Sequence, residues 1–116
     1  KTYLIKDIER LGLKNHVNLL GADSGWKKWL LYLTSTAFIL YSEFEGLPRS
    51  IFEAFAAGKI VIVPNICGLS EVVYNNVNGF LFNNENELLR ILNYVVVNKR
   101  KILKMREYEK KGKKLL

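Results

Sequence analysis

"TAFILYSEFEGLPRSIFEAFAAGKIVIVP", residues 36–64, sets two apolar strand patterns on either side of one helix pattern. "TAFILYS" and "KIVIVP" are continuous apolar runs, as a strand needs when both faces of its sheet are covered. Between them Gly46 opens a turn. Pro48 suits a first helical position, where its missing N–H costs nothing. Ile51, Phe52, Phe55 and Ala56 share one helix face, and Gly58 is placed to end the helix as a left-handed cap. Ligands of parallel sheets sit beyond the carboxyl ends of the strands, at loops that lead into helices. The stretch from Glu45 to Pro48 is such a loop.

The pattern extends in both directions. Upstream, "KTYLIKDIERLGL" spaces Tyr3, Leu4, Ile8 and Leu11 as a helix ending at Gly12. "VNLLG" predicts a short strand closed by Gly21. Asp23 or Ser24 is then expected to cap a helix through Trp26, Leu30, Leu31 and Leu33. Downstream, Ser70 is expected to cap a short helix, "EVVYNN". Asn78-Gly79 is a turn, "FLF" a brief last strand, and Asn84 with Glu87 resembles a capping box for "ELLRILNYVVV". Strands and helices alternate at short spacing, which predicts an α/β fold with a parallel sheet and helices on both faces.

A chain of 116 residues with 49% hydrophobic composition builds one compact domain and not two. The single cysteine, Cys67, allows no internal disulfide and points to a reducing compartment, and it reads as a small buried filler rather than a nucleophile. The most apolar window, "WLLYLTSTAFILY", is too short for a membrane span and is broken by Thr34, Ser35 and Thr36. No cleavable signal is visible. The chain opens at Lys1 in what reads as mid-helix, so it is expected to be part of something longer.

The net charge of +7 is localised. Residues 99–114 hold nine Lys or Arg against two Glu, whereas residues 1–98 hold nine of each sign. This divides the chain into a neutral domain, 1–98, and a basic helix or tail, 99–116. A solvated extension is the plainer reading of that tail. Nucleic acid is not expected, since no aromatic interleaving supports base stacking; attraction to a membrane surface stays open.

Glu45 and Glu53 stand eight positions apart around the predicted helix start. That start supplies free N–H groups from Arg49 and Ser50 and the positive end of the helix dipole, a natural seat for a diphosphate. A carboxylate accepts hydrogen bonds from two neighbouring hydroxyls, so each Glu suits a sugar diol. Together they would form a linear half-site: diol, phosphates, diol. Two plainer readings stand beside it. Glu53 can pair with Arg49 on a wet face while Glu45 meets the helix dipole, or two carboxylates can flank a glycosidic bond for hydrolysis.

"SEFEGLPRSIFEAFAAGKIVIVPNICGLSEVVYNNVNGFLF" resembles the C-terminal domain of glycosyltransferase family 4, with its E-x(7)-E element. The likeness runs over roughly residues 1–97. It implies a GT-B architecture of two Rossmann-like domains, of which the C-terminal one binds a nucleotide-sugar donor, and transfer that retains the anomeric configuration. It also implies that Glu45 is the catalytic-site acid on the donor sugar's hydroxyls, with Gly46 and Leu47 along the sugar and β-phosphate. Arg49 and Ser50 would receive the diphosphate, and Glu53 the ribose. No metal or other cofactor is implied. The expected partners are a UDP- or GDP-sugar, an acceptor saccharide or glycolipid, and an N-terminal domain. The expected location is cytoplasmic, with peripheral contact at the inner face of a membrane.

The chain departs from that family in four respects. Pro48 cannot donate a backbone hydrogen bond where many members carry Gly, and Cys67-Gly68 replaces a common Gly-Gly. The acceptor domain is missing, as are the first two strands of the donor domain, which in the family lie between the strand of "VNLL" and that of "FILY". Charge-assisted hydrogen bonds contribute roughly 1.5–3 kcal/mol each, a helix terminus roughly 0.3–2 kcal/mol, and association costs at least ~4 kcal/mol. Such a half-site holds its donor at about millimolar dissociation constant, and the isolated piece is expected to be inactive. A non-catalytic nucleotide-sugar or anion module is the alternative, followed by a binder led by the basic tail.

Overall fold

The computed structural model describes residues 2–20, 25–41 and 49–111. The elements are α1 (Thr2–Arg10), α2 (Trp26–Thr34), β1 (Ala37–Ile39), α3 (Arg49–Ala56), β2 (Ile60–Pro64), α4 (Leu69–Val72), β3 (Gly79–Phe82), α5 (Glu85–Val97) and α6 (Lys99–Lys111). The strands form one parallel sheet in the order β1-β2-β3, with Phe38 opposite Val61 and Ile62 opposite Phe80. The α/β class read from the sequence holds.

Strand alternation sorts the core into two layers. Val61 and Val63 pack with Tyr32, Ile51, Ala54, Ala57, Leu69 and Val73, so α2, α3 and α4 cover one face. Ile60 and Ile62 pack with Phe80, Phe82, Val95 and Ile102, so α5 and α6 cover the other. Central β2 is therefore buried on both sides, which is why its pattern is continuously apolar. Although α6 is rich in Lys and Arg, Ile102 is fully buried and Met105 packs on the same layer.

The turns explain the register. Gly58, at φ +75°, ends α3 as expected: its N–H donates to Phe55 O and that of Lys59 to Ala54 O, both at 2.9 Å. Gly12 ends α1 in the same way. Gly79 is needed for space rather than for conformation, because a Cβ there would overlap the Val61 carbonyl of the neighbouring strand. Asn78, 2% exposed, accepts from Tyr74 N at 2.8 Å and donates to Val72 O at 3.0 Å, which draws residues 72–78 into a compact turn before β3.

Several local expectations are corrected. Residues 17–20 form no strand: Val17, Leu19 and Leu20 are exposed, and no neighbouring strand among the described residues supplies a ladder. Ser70 lies inside α4, whose N-cap is Gly68. That helix stops at Val72 rather than Asn76, because the Asn78 side chain takes the Tyr74 amide and the Val72 carbonyl. Cys67 is exposed and not a buried filler, since it sits in the loop that leaves the sheet after Pro64. At α5, Asn84 accepts from Glu87 N as a cap should, but the Glu87 carboxylate reaches Asn83 N at 2.8 Å, one residue short of a capping box. Asp23, Ser24 and Pro48 lie outside the described residues; α2 has Gly25 as its N-cap, with no side-chain cap bond.

Candidate functional site

α3 ends at Ala56, just before β2 begins at Ile60, so its first turn, at Arg49, lies towards the carboxyl edge of the parallel sheet. Its amides have no acceptor within the helix. Arg49 is exposed and Ser50 half-buried. Ile51 and Ala54, fully buried against the sheet, set the rotation of the helix. That rotation turns Glu53 towards α2.

Two side chains of α2 meet it there. Lys28 Nζ forms an ion pair with Glu53 Oε1 at 2.9 Å, and the Tyr32 hydroxyl donates to the same oxygen at 3.3 Å. Oε2 is left without a partner among the described residues. The Glu53 side chain is 22% exposed, so it is neither sunk in the core nor free in water. The Lys28 hydrogen bond, with help from the Tyr32 hydroxyl and the charges of Lys28 and Arg49, holds its carboxyl below the ordinary value, although partial burial works the other way. Burial and the Glu53 charge push the Tyr32 phenol up. A carboxylate held on the ionised side therefore stands one turn inside α3.

Tyr32 is itself held. It is 8% exposed, and its ring lies 5.8 Å from that of Trp29 and 5.6 Å from that of Phe38. Lys59, 5% exposed, donates to Leu33 O at 2.9 Å and ties the end of α2 to the start of β2. The platform under Glu53 is thus built from α2, α3 and β1.

Of the residues singled out in the sequence, the structure brings Arg49, Ser50 and Glu53 together on α3. Glu45, Gly46 and Leu47 lie outside the described residues. The plainer alternative, a Glu53–Arg49 pair on a wet face, is not seen; Glu53 pairs with Lys28 instead. Lys28 and Tyr32 escaped the sequence reading. Their spacing of four puts them on one face of α2, but the spacing does not say that this face meets α3. Among the described residues no three metal-ligating side chains come together.

Comparison with known proteins now bears on this arrangement. The pattern of the family described as Glycosyl transferases group 1 matches residues 1–113. The Vi polysaccharide biosynthesis protein VipC/TviE of Salmonella typhi is 34% identical over 76 residues, covering 66% of this chain and 13% of that protein. The UDP-Gal:alpha-D-GlcNAc-diphosphoundecaprenol alpha-1,3-galactosyltransferase of Escherichia coli is 34% identical over 96 residues, covering 76% of this chain and 24% of that enzyme. Anabaena Alr3699/HepE in complex with UDP superposes with a TM-score of 0.80 at 30% identity, over 93% of this chain and 30% of that one. The same protein with UDP-glucose gives 0.79 and 29%. The chain thus spans less than a third of the length of each of these relatives. Its sheet and helices are part of a GT-B domain, and the chain belongs to the group 1 glycosyl transferases.

Proposed function

We propose that this chain supplies the donor-holding part of a retaining glycosyltransferase that moves a sugar from a UDP-sugar to a saccharide or lipid-linked acceptor. The observation that carries the proposal is the Glu53 carboxylate, held by Lys28 and Tyr32 through one oxygen and, among the described residues, without a partner on the other, beside the first turn of α3. The UDP and UDP-glucose bound by the similar Anabaena protein support uridine over guanosine. The relatives' roles in polysaccharide synthesis and on a diphosphoundecaprenol-linked sugar support the acceptor class.

In this reading Glu53 accepts the two ribose hydroxyls. The diphosphate lies on the amides of Arg49 and Ser50, where the helix dipole and the Arg49 guanidinium oppose the charge that grows as the glycosidic oxygen leaves with its bonding electrons. Glu45, Gly46 and Leu47 receive the sugar, as the family resemblance implies. The acceptor hydroxyl oxygen bonds to the anomeric carbon as the bond to the diphosphate oxygen breaks, and its proton passes to the departing diphosphate. No metal or other cofactor enters this scheme. A lipid-linked acceptor puts the reaction at the cytoplasmic face of a membrane.

Two-dimensional amide NMR of the chain, titrated with UDP-glucose, UDP-galactose and a GDP-sugar, tests the reading. UDP-sugars at millimolar concentration should shift the Arg49–Glu53 amides, and Glu53→Ala should abolish the shifts. Absence of shifts from every donor in a dispersed spectrum would overturn it. Shifts without sugar transfer by the longer protein would leave a donor-binding module in place of an enzyme.

A further inference from the structure

A second surface lies at the opposite edge of the sheet. Asn76 precedes β3, and α5 runs back from the carboxyl edge to set Tyr94 against Phe80 in an edge-on contact of 5.9 Å. Two shallow hollows open here, of about 320 Å³ and about 280 Å³, and they share Asn76. Val77, Met105, Phe80 and Ile91 give them a mainly apolar floor. Their rim is cationic: Arg90 on α5, and Lys101 and Lys104 on α6.

Helix geometry arranges these groups in two stripes. Arg90, Tyr94 and Val97 recur at spacings of four and three along one side of α5. Lys101 and Lys104 recur at a spacing of three on α6, flanking the buried Ile102 and the packed Met105. Lys101 Nζ stands 6.0 Å from the centre of the Tyr94 ring. Among the described residues no carboxylate pairs with Arg90, Lys99, Arg100, Lys101 or Lys104. Val97, 80% exposed, projects beside them.

We infer that this face of α5 and α6 docks on an anionic phospholipid surface. Cations around an apolar floor match a phosphate headgroup above an acyl boundary, where Lys and Arg stems lie along apolar surface and their heads stay at the phosphates. The exposed aliphatic Val97 suits the same boundary. A free phosphate would have no use for the apolar floor. Nucleic acid would need stacking platforms, and among the described residues Tyr94 is the one exposed aromatic on these stripes, already edge-on to Phe80 and near Lys101 Nζ. The donor residues of α3 lie at the other edge of the sheet, so this contact leaves them uncovered, and the inference does not depend on the donor reading.

Co-sedimentation of the full chain with phosphatidylcholine vesicles, with and without about 30 mol% phosphatidylglycerol, tests it. The chain should pellet with the anionic vesicles and stay in solution with the neutral ones. Each Lys near such a surface accounts for roughly a fivefold change in partitioning, so Lys101→Gln with Lys104→Gln should weaken binding by roughly 30-fold. Val97→Asn should weaken it without changing net charge, which separates surface docking from long-range attraction. Equal binding to neutral vesicles would overturn the inference. So would unchanged binding of a folded Lys101→Gln, Lys104→Gln variant, displacement by millimolar inorganic phosphate at constant ionic strength, or capture of a DNA duplex in preference to the vesicles.

Discussion

Tyr32 and Glu53 come from neighbouring helices and meet in a hydrogen bond of 3.3 Å, the hydroxyl of one on the same carboxylate oxygen that pairs with Lys28. The bond fixes the carboxylate from the side of the core. Tyr32→Phe keeps the ring contacts with Trp29 and Phe38 and removes only the hydroxyl. It should leave urea unfolding nearly unchanged while UDP binding weakens roughly fivefold, the equivalent of one net hydrogen bond. Tyr32→Ala also removes a buried ring and should cost about 3–5 kcal/mol of stability. Equal loss of UDP shifts and of stability in the Phe variant would mean that the hydroxyl acts on the fold alone.

Lys28 is the main influence that lowers the Glu53 carboxyl, chiefly through its hydrogen bond, so the folded group titrates below its ordinary value of 4.5. The sign follows from linkage: the stabilising pair is fully present above that ordinary value and is lost as pH falls through the lowered folded one. Lys28→Ala should move the Glu53 titration upward, followed by its side-chain carboxyl carbon in NMR. UDP binding should then fail at a higher pH in the variant than in the parent chain. An unmoved Glu53 titration in Lys28→Ala would remove Lys28 from the site.

These partners also mark how far the sequence could be read. The strands β1 and β2, the Gly58 cap and the position of Glu53 on α3 follow from local periodicity and turn chemistry, but the cover expected on both faces holds for β2 and not for β1, where Ile39 is exposed. The Lys28 and Tyr32 contacts do not, because they depend on how α2 is rotated against α3, and no local spacing states that. Cys67 was misread because burial depends on which side of the Pro64 loop faces the sheet. The segment 17–20 has strand-like composition, but a strand needs a neighbour, and composition does not supply one. Glu45, Gly46 and Leu47 rest on the resemblance.

Gly79 tests the sheet by steric space alone. A Cβ added there would overlap the Val61 carbonyl and stand 2.9 Å from Val61 Cγ2, and neither can move without disturbing β2. Gly79→Ala should therefore cost about 1–3 kcal/mol or more in urea unfolding, as overpacking does, and broaden the amide signals of β2 and β3. Gly79→Ala combined with Val61→Ala should recover little, since the closer of the two obstacles is backbone. Full recovery in the double variant would show that the side chain, not the carbonyl, sets the limit.

Arg49 and Glu53 should separate when the ligand is taken apart. Arg49 is exposed at the first residue of α3, where a diphosphate would lie, while Glu53 sits one turn further in, where a ribose diol would reach it. Uridine carries the diol without the phosphates, and inorganic pyrophosphate carries the phosphates without the diol. Glu53→Gln keeps the size of the side chain but replaces one acceptor oxygen by a donor, so it should weaken uridine and UDP by the same factor and leave pyrophosphate alone. Arg49→Ala removes one charge-assisted contact and should weaken UDP and pyrophosphate by roughly tenfold or more while sparing uridine. Amide shift titrations with the three ligands measure all these effects on one chain. If both variants weaken all three ligands alike, the helix terminus and the carboxylate act as one undivided anion site, and the assignment of ribose to Glu53 falls.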